Sequence, residues 1–185
     1  MSPRARSTAL LACLALAYGP AATAEVTSAG AAGFAIREKV RIAAPPARVY
    51  GALVTPARWW NAEHTFSGDA ANLTLDPRAG GCFCEKLPHG GSVQHLTVVM
   101  VVSGKTLVLR GALGPFQQQG TDGALSITLA AAGSGTDLTL TYILGGYLTL
   151  PGGFEQMAKA ADAMLAEQTS RLRRFIETGS PAARP

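Results

Sequence analysis

Across residues 154–176 the apolar positions recur at helical spacing. Phe154, Met157, Ala161, Met164, Leu165, Leu172 and Phe175 share one side, and Glu155, Lys159, Asp162, Glu167, Arg171 and Arg174 the other. The period predicts an amphipathic helix of about 22 residues, roughly 33 Å long. Glu155 with Lys159, and Glu167 with Arg171, form favourable i,i+4 pairs on its polar side. Upstream the period falls to two. Residues 34–42 place mostly apolar side chains at even positions and mostly charged ones at odd positions, which predicts a half-buried strand. Pro45-Pro46 ends it. Pro46 suits the first turn of a short helix carrying Val49, Tyr50 and Leu53, because its missing amide hydrogen is not needed there. Thr55-Pro56 interrupts, and a second short helix carries Trp59-Trp60.

Strand-like segments follow at 71–75, 82–87, 92–102, 106–113, 124–131 and 136–144. Turn signals separate them, among them Asp76-Pro77, Pro88-His89-Gly90-Gly91, Ser103-Gly104-Lys105 and Gly133-Ser134-Gly135. A longer loop occupies 114–123. Helices are segregated from strands, which predicts an α+β fold. The short turns predict antiparallel neighbours. Threonines alternate with large apolar residues in Ser126-Ile127-Thr128-Leu129 and Thr139-Leu140-Thr141-Tyr142, as suits a sheet with one wet face. The expected architecture is a curved antiparallel sheet of about seven strands wrapped around the long C-terminal helix. Two short helices follow strand one. Function then depends on whether the space between sheet and helix is filled or hollow.

The N-terminus changes the picture. Arg4 and Arg6 precede a ten-residue apolar run at 9–18, too short to span a bilayer as a mature helix. Ala22-Thr23-Ala24 then fits the small-x-small pattern of a signal-peptidase site. Residues 1–24 are expected to be a signal peptide cleaved near Ala24, sending the protein to the periplasm or the exterior. A lipoprotein box at Leu10-Leu11-Ala12-Cys13 is the weaker alternative, since it leaves a very short apolar run before the cysteine. Residues 25–33, rich in Ala, Gly and Ser, read as a flexible lead-in. Residues 34–178 form the folded domain and 179–185 a disordered tail. The formal charge of +4 becomes +2 once Arg4 and Arg6 leave. Lys and Arg are scattered without a basic stripe, so no nucleic-acid partner is expected. No second apolar segment is long enough for a transmembrane span. The oligomeric state stays open.

Pro46-Ala47-Arg48-Val49-Tyr50-Gly51-Ala52-Leu53-Val54-Thr55-Pro56 with Trp59-Trp60, Asp76-Pro77-Arg78-Ala79-Gly80-Gly81 before a strand, Gly135-Thr136-Asp137-Leu138-Thr139-Leu140-Thr141-Tyr142, and the terminal helix together resemble one superfamily. It is the START-related SRPBCC superfamily of helix-grip proteins. The likeness is strongest to the bacterial branch of heat-shock-protein ATPase-activator homologues, beside the aromatic polyketide cyclases. It covers nearly all of 34–177. It implies the helix-grip fold and an apolar ligand held between sheet and helix. It implies no single catalytic motif, since one fold hosts many functions.

Candidate chemistry centres on Gly80-Gly81-Cys82-Phe83-Cys84-Glu85. Cys82 and Cys84 share a strand face. They suit thiolate ligands, a redox pair, or two small apolar side chains packed together. A bridge between them would lie near the limit of disulfide reach and be strained. If the following hairpin turns about His89-Gly90, Cys84 faces His95 and Cys82 faces Thr97. That gives a metal-type group of Cys82, Cys84 and His95, still short of a fourth ligand. A slip of one residue instead pairs Glu85 with His95 as an acid/base couple. Spacing does not choose between them.

Glu85 shares a face with Phe83. If that face is inward, Glu85 is a buried carboxyl with a raised pKa, a polar anchor or general base. Glu85 and His95 are therefore the catalytic candidates. Gln168 interrupts the helix's apolar stripe, either to meet a ligand or to satisfy a backbone group. Trp59 and Trp60 suit one cavity mouth, near Arg58, Glu63 and His64, and Phe116 with Gln117, Gln118 and Gln119 the other. Tyr142 and Tyr147 offer hydroxyls. The expected ligand contacts are Trp59, Trp60, Phe83, Glu85, His95, Phe116, Tyr142, Met157, Met164 and Gln168. No phosphate loop, nucleophile elbow or paired-histidine zinc helix is present, and no cofactor is expected. Three readings remain: a carrier of a small apolar or aromatic ligand, a cyclase or dehydratase-like enzyme, and a protein-interaction module.

Overall fold

The computed structural model describes residues 23–183. Most of the expected signal peptide, residues 1–22, lies outside them. The elements run β1 (Thr23–Gly30), β2 (Gly33–Ile42), α1 (Pro46–Leu53), β3 (Leu73–Leu75), β4 (Cys82–Lys86), β5 (Ser92–Val102), β6 (Thr106–Arg110), β7 (Gly120–Ala132), β8 (Gly135–Tyr147) and α2 (Gly153–Thr178). Eight strands form one curved antiparallel sheet in the order β1-β2-β8-β7-β6-β5-β4-β3. The meander from β3 to β8 joins neighbours by short turns except between β6 and β7, where residues 111–119 form a longer loop. Only the pairing of β2 with β8 closes over a long stretch of chain, matching Phe34 with Leu144 and Ile42 with Thr136.

Strand β1 is the eighth strand. Of residues 25–33, expected as a flexible lead-in, 25–30 instead pair with β2, from Glu25 opposite Arg37 to Gly30 opposite Gly33. Small side chains hid this strand from the pattern, because its ladder is made by backbone groups. The open edge of β2 supplies the partners. Thr27 adds a hydroxyl bond to the Ala35 carbonyl at 3.1 Å. The pairing also runs past the expected cleavage point, since Thr23 and Ala24 face Lys39 and Glu38. At the other end Pro181 accepts a bond from Arg174 Nε at 2.9 Å, so the expected tail folds back at that point.

Helix α2 lies across the concave face, chiefly on β2 and β1. Phe154, Ala158, Ala161, Leu165, Leu172 and Ile176 are its buried apolar side, at the i,i+3/i+4 spacing of one face. Gly152 and Gly179 bound it, both in the left-handed region at φ 78° and 83°. The Gly179 N–H caps the Phe175 carbonyl at 2.9 Å. Helix α1, a single helical turn at Pro56–Arg58 and further turns at Ala62–His64 and Ala70–Asn72 close one end of the grip. Trp59 belongs to that closure. It is buried, and its Nε1 donates to the Ala52 carbonyl at 2.9 Å.

Candidate functional site

Strand β4 alternates, and its inward residues are Phe83 and Glu85, both buried. Its partner β5 does not alternate cleanly. Cys82 faces Thr97 and Phe83 faces Leu96, but Cys84 faces Gln94 and Glu85 faces Val93. His95 is the extra residue of a β-bulge. The bulge turns His95 and its neighbour Leu96 inward together, and both are buried. Neither expected register holds as written. The first holds up to Thr97, and the bulge then brings Glu85 and His95 together, as the second required.

Glu85 Oε2 lies 2.9 Å from His95 Nε2, with the carboxyl 1 % exposed and the imidazole 6 %. The loop before β3 completes the arrangement. The Phe66 N–H donates to Glu85 Oε2 at 3.1 Å and the Ser67 N–H to Oε1 at 2.5 Å. Burial alone would raise the pKa of Glu85. The bonds from Ser67, Phe66 and His95 outweigh it and hold the carboxyl below its ordinary value, contrary to the sequence expectation. Burial lowers the pKa of His95 despite its acidic neighbour and so favours the neutral imidazole. An ionised Glu85 accepting from Nε2–H fixes the tautomer and leaves Nδ1 as the ring's remaining polar atom. The Phe66 ring stacks on His95 at 5.9 Å between centroids, and Phe83 lies at 5.1 Å on it.

His95 opens on a mostly apolar cavity of about 520 Å³ between the sheet and the N-terminal half of α2. Of the expected contacts, Trp60, Phe83, His95, Phe116, Tyr142, Met157 and Met164 line it. Trp59, Glu85 and Gln168 do not. Trp59 is core, and Glu85 sits behind His95. Gln168 satisfies a backbone group, its Oε1 accepting from the Asn61 N–H at 2.9 Å. Tyr142 offers the cavity its ring. Its hydroxyl accepts from the Leu113 N–H at 3.1 Å and thereby holds the opposite rim. Tyr147 is exposed at the end of β8. The Trp60 rim is pinned to α2: Glu167 meets Asn61 Nδ2 at 2.6 Å and His64 Nε2 at 3.0 Å, and Arg171 Nε donates to the Trp59 carbonyl at 2.9 Å.

The two cysteines do not converge with His95. Cys82 and Cys84 point to the other face of β4 from Glu85, and they are joined as a disulfide with Cα atoms 5.3 Å apart. That separation is inside disulfide range, because the strand is contracted there. Among the described residues no group of three or more metal-type side chains converges. The metal-type group of Cys82, Cys84 and His95 is not assembled in this fold, because the bulge turns His95 to the face opposite the cysteines.

Sequence reasoning missed two features. The Phe66-Ser67 amide pair is backbone and leaves no trace in side-chain type. The second is Glu38, fully buried on the inward face of β2 with neither carboxyl oxygen meeting a donor. It faces Asp162 of α2, which the helical pattern had put on the polar side. Burial and the nearby Asp162 raise the pKa of Glu38 to about 8. Burial also raises Asp162. The legible signal was an acidic residue at an even position of the alternating segment 34–42.

A family model described as activator of Hsp90 ATPase homolog 1-like protein matches residues 43–175. No curated protein matches the chain. Among solved structures, CalU16 from Micromonospora echinospora is similar at 19% identity and a TM-score of 0.56, covering 88% of each chain. A protein from Rhizobium leguminosarum is similar at 20% identity and 0.57, covering 85% of this chain and 99% of that one. The Aha1 dimer from Colwellia psychrerythraea is similar at 17% identity and 0.51, covering 78% and 97%. At these identities the structures speak to fold alone. The family match spans well over half of the chain, and with the clasped helix it makes this protein a helix-grip member of the SRPBCC superfamily that belongs to the activator of Hsp90 ATPase homolog 1-like family.

Proposed function

We propose that the protein binds one small apolar or aromatic molecule between the sheet and α2. The carrying observation is the cavity of about 520 Å³, walled by aromatic and methionine side chains with one oriented imidazole among them. Ligand sites typically have this size and this ratio of apolar wall to placed polar groups. Trp60, Phe83 and Phe116 supply flat surfaces for an aromatic ring. His95 supplies the hydrogen bond that orients it. The test is native mass spectrometry against a panel of fatty acids and aromatic polyketides. One ligand per chain is expected, and Ala161→Trp, which fills the cavity from α2, is expected to abolish it. No retained ligand in any case rejects the reading.

A second reading, proton-transfer catalysis of the cyclase or dehydratase type, is favoured by one observation. The Glu85–His95 separation of 2.9 Å meets the distance that an acid/base couple requires. In that reading His95 is the base, and Glu85 orients it. Turnover of a panel substrate lost in His95→Gln, with the ligand still bound, is the expected result. The interaction-module reading predicted a filled interior, and its remaining support is the exposed apolar row Val99, Met100 and Val102 on β5. For location, the apolar run and the Ala22-Thr23-Ala24 pattern support export, and a disulfide suits an oxidising compartment. N-terminal sequencing of the protein from its native host tests this, with Glu25 expected first.

A further inference from the structure

The disulfide and the bulge sit opposite one another. Two residues of ordinary strand separate Cα atoms by about 6.4–6.8 Å, whereas Cys82 and Cys84 stand 5.3 Å apart. Across from this shortened segment, β5 places four residues, Gln94 to Thr97, against the three of β4. The extra one is His95. A contracted strand facing an over-long partner is the geometry of a bulge. The residue between the cysteines is Phe83, which projects through the sheet to the cavity wall and packs on His95 and Trp60. Both cysteines are partly accessible on the face that α2 does not cover.

We propose that the Cys82–Cys84 disulfide is a redox-reversible clamp, exchanging with a dithiol, that holds the β5 bulge and so seats His95 on Glu85 and Phe83 in the cavity wall. In the exchange a thiolate of the dithiol attacks one Sγ. The protein S–S bond breaks, a mixed disulfide forms, and the other cysteine leaves as a thiolate that takes a proton from water. The dithiol's second thiolate then attacks the mixed bond, closes its own disulfide and releases the second cysteine, which is protonated likewise. Two electrons pass from dithiol to protein. Once free, β4 relaxes toward ordinary strand rise and the bulge loses its short partner. His95 then withdraws from Glu85. The effect on ligand rests on the cavity reading; the movement of His95 does not.

The test uses the full chain, oxidised and after dithiothreitol, with alkylation and peptide mass spectrometry reporting Cys82 and Cys84. Proton NMR contacts from the His95 ring to the Phe66 and Phe83 rings read the seating without any ligand. These contacts are expected in the oxidised protein, lost on reduction and regained on reoxidation, while amide dispersion elsewhere persists. The double variant Cys82→Ser/Cys84→Ser is expected to match the reduced state. If it does not fold, the reduction series on the native chain decides. Free cysteines in the native protein, a bridge untouched by dithiothreitol, or unchanged His95 contacts with both cysteines reduced would overturn the clamp. Binding of 1-anilinonaphthalene-8-sulfonate is the ligand arm, with weaker binding expected after reduction. No probe binding in either state, with His95 still moving, supports the clamp and overturns the ligand reading.

Discussion

Glu85 and Glu38 are both buried carboxyls on inward strand faces, and their surroundings send them in opposite directions. Glu85 meets two backbone N–H groups and an imidazole, so its charged form is stabilised. Glu38 has no donor to offset its burial and meets a second carboxyl, Asp162, so its neutral form is favoured. The pH dependence follows with sign. Between 4.5 and about 8 the folded protein keeps a proton on Glu38 that the unfolded chain has released. Stability from this group is therefore full below pH 4.5 and lost as pH rises through about 8. Glu38→Gln is expected to remove that alkaline loss, measured by urea unfolding at pH 6 and pH 9. Glu85 works the other way: its stabilisation is present above its ordinary pKa of 4.5 and lost as pH falls through its lower folded value. Glu85→Gln keeps the shape but loses the charge, and is expected to cost about 1.5–3 kcal/mol at pH 7, the range for bonds to a charged group. Burial holds the folded pKa of His95 below 6.5, so the unfolded chain takes up its proton first and this group too loses stability as pH falls.

Helix α2 was readable because its apolar positions recur at helical spacing across residues 154–176, with Gln168 as the interruption, and packing on a broad sheet repeats the same contact. Leu165 is 1 % exposed at the middle of that face. Leu165→Ala is expected to lower stability by about 2–5 kcal/mol in urea unfolding, the usual cost of deleting a buried leucine side chain. Strand β1 was not readable. Its Ser, Ala and Gly residues carry no alternation, and the bonds that hold it belong to the backbone and to the open edge of β2. The bulge in β5 was equally hidden. Two adjacent inward residues, His95 and Leu96, break the period of two that any strand reading assumes. A one-residue insertion moves every later side chain to the other face.

For the molecule as a whole, the segregation of strands and helices already implied a sheet clasping one helix, since no other apolar surface was long enough to take α2. Hydrophobic period sets which face of each element turns inward, and burial is non-directional, so that information sits locally in the chain. The cavity is a different kind of fact. Its volume is what remains after Trp60, Phe83, Phe116, Tyr142, Met157 and Met164 have taken their places, and those places depend on curvature and on loops pinned from α2. The meeting of Glu85 with His95 depends on one bulge in a hairpin, the amides that keep Glu85 charged come from the loop before β3, and the pairing of Glu38 with Asp162 joins residues far apart along the chain. Local pattern assigned the elements and their buried sides. Which polar groups came within hydrogen-bond distance was decided only by the folded packing, because a distance of 3 Å depends on every register, bulge and turn between the two partners.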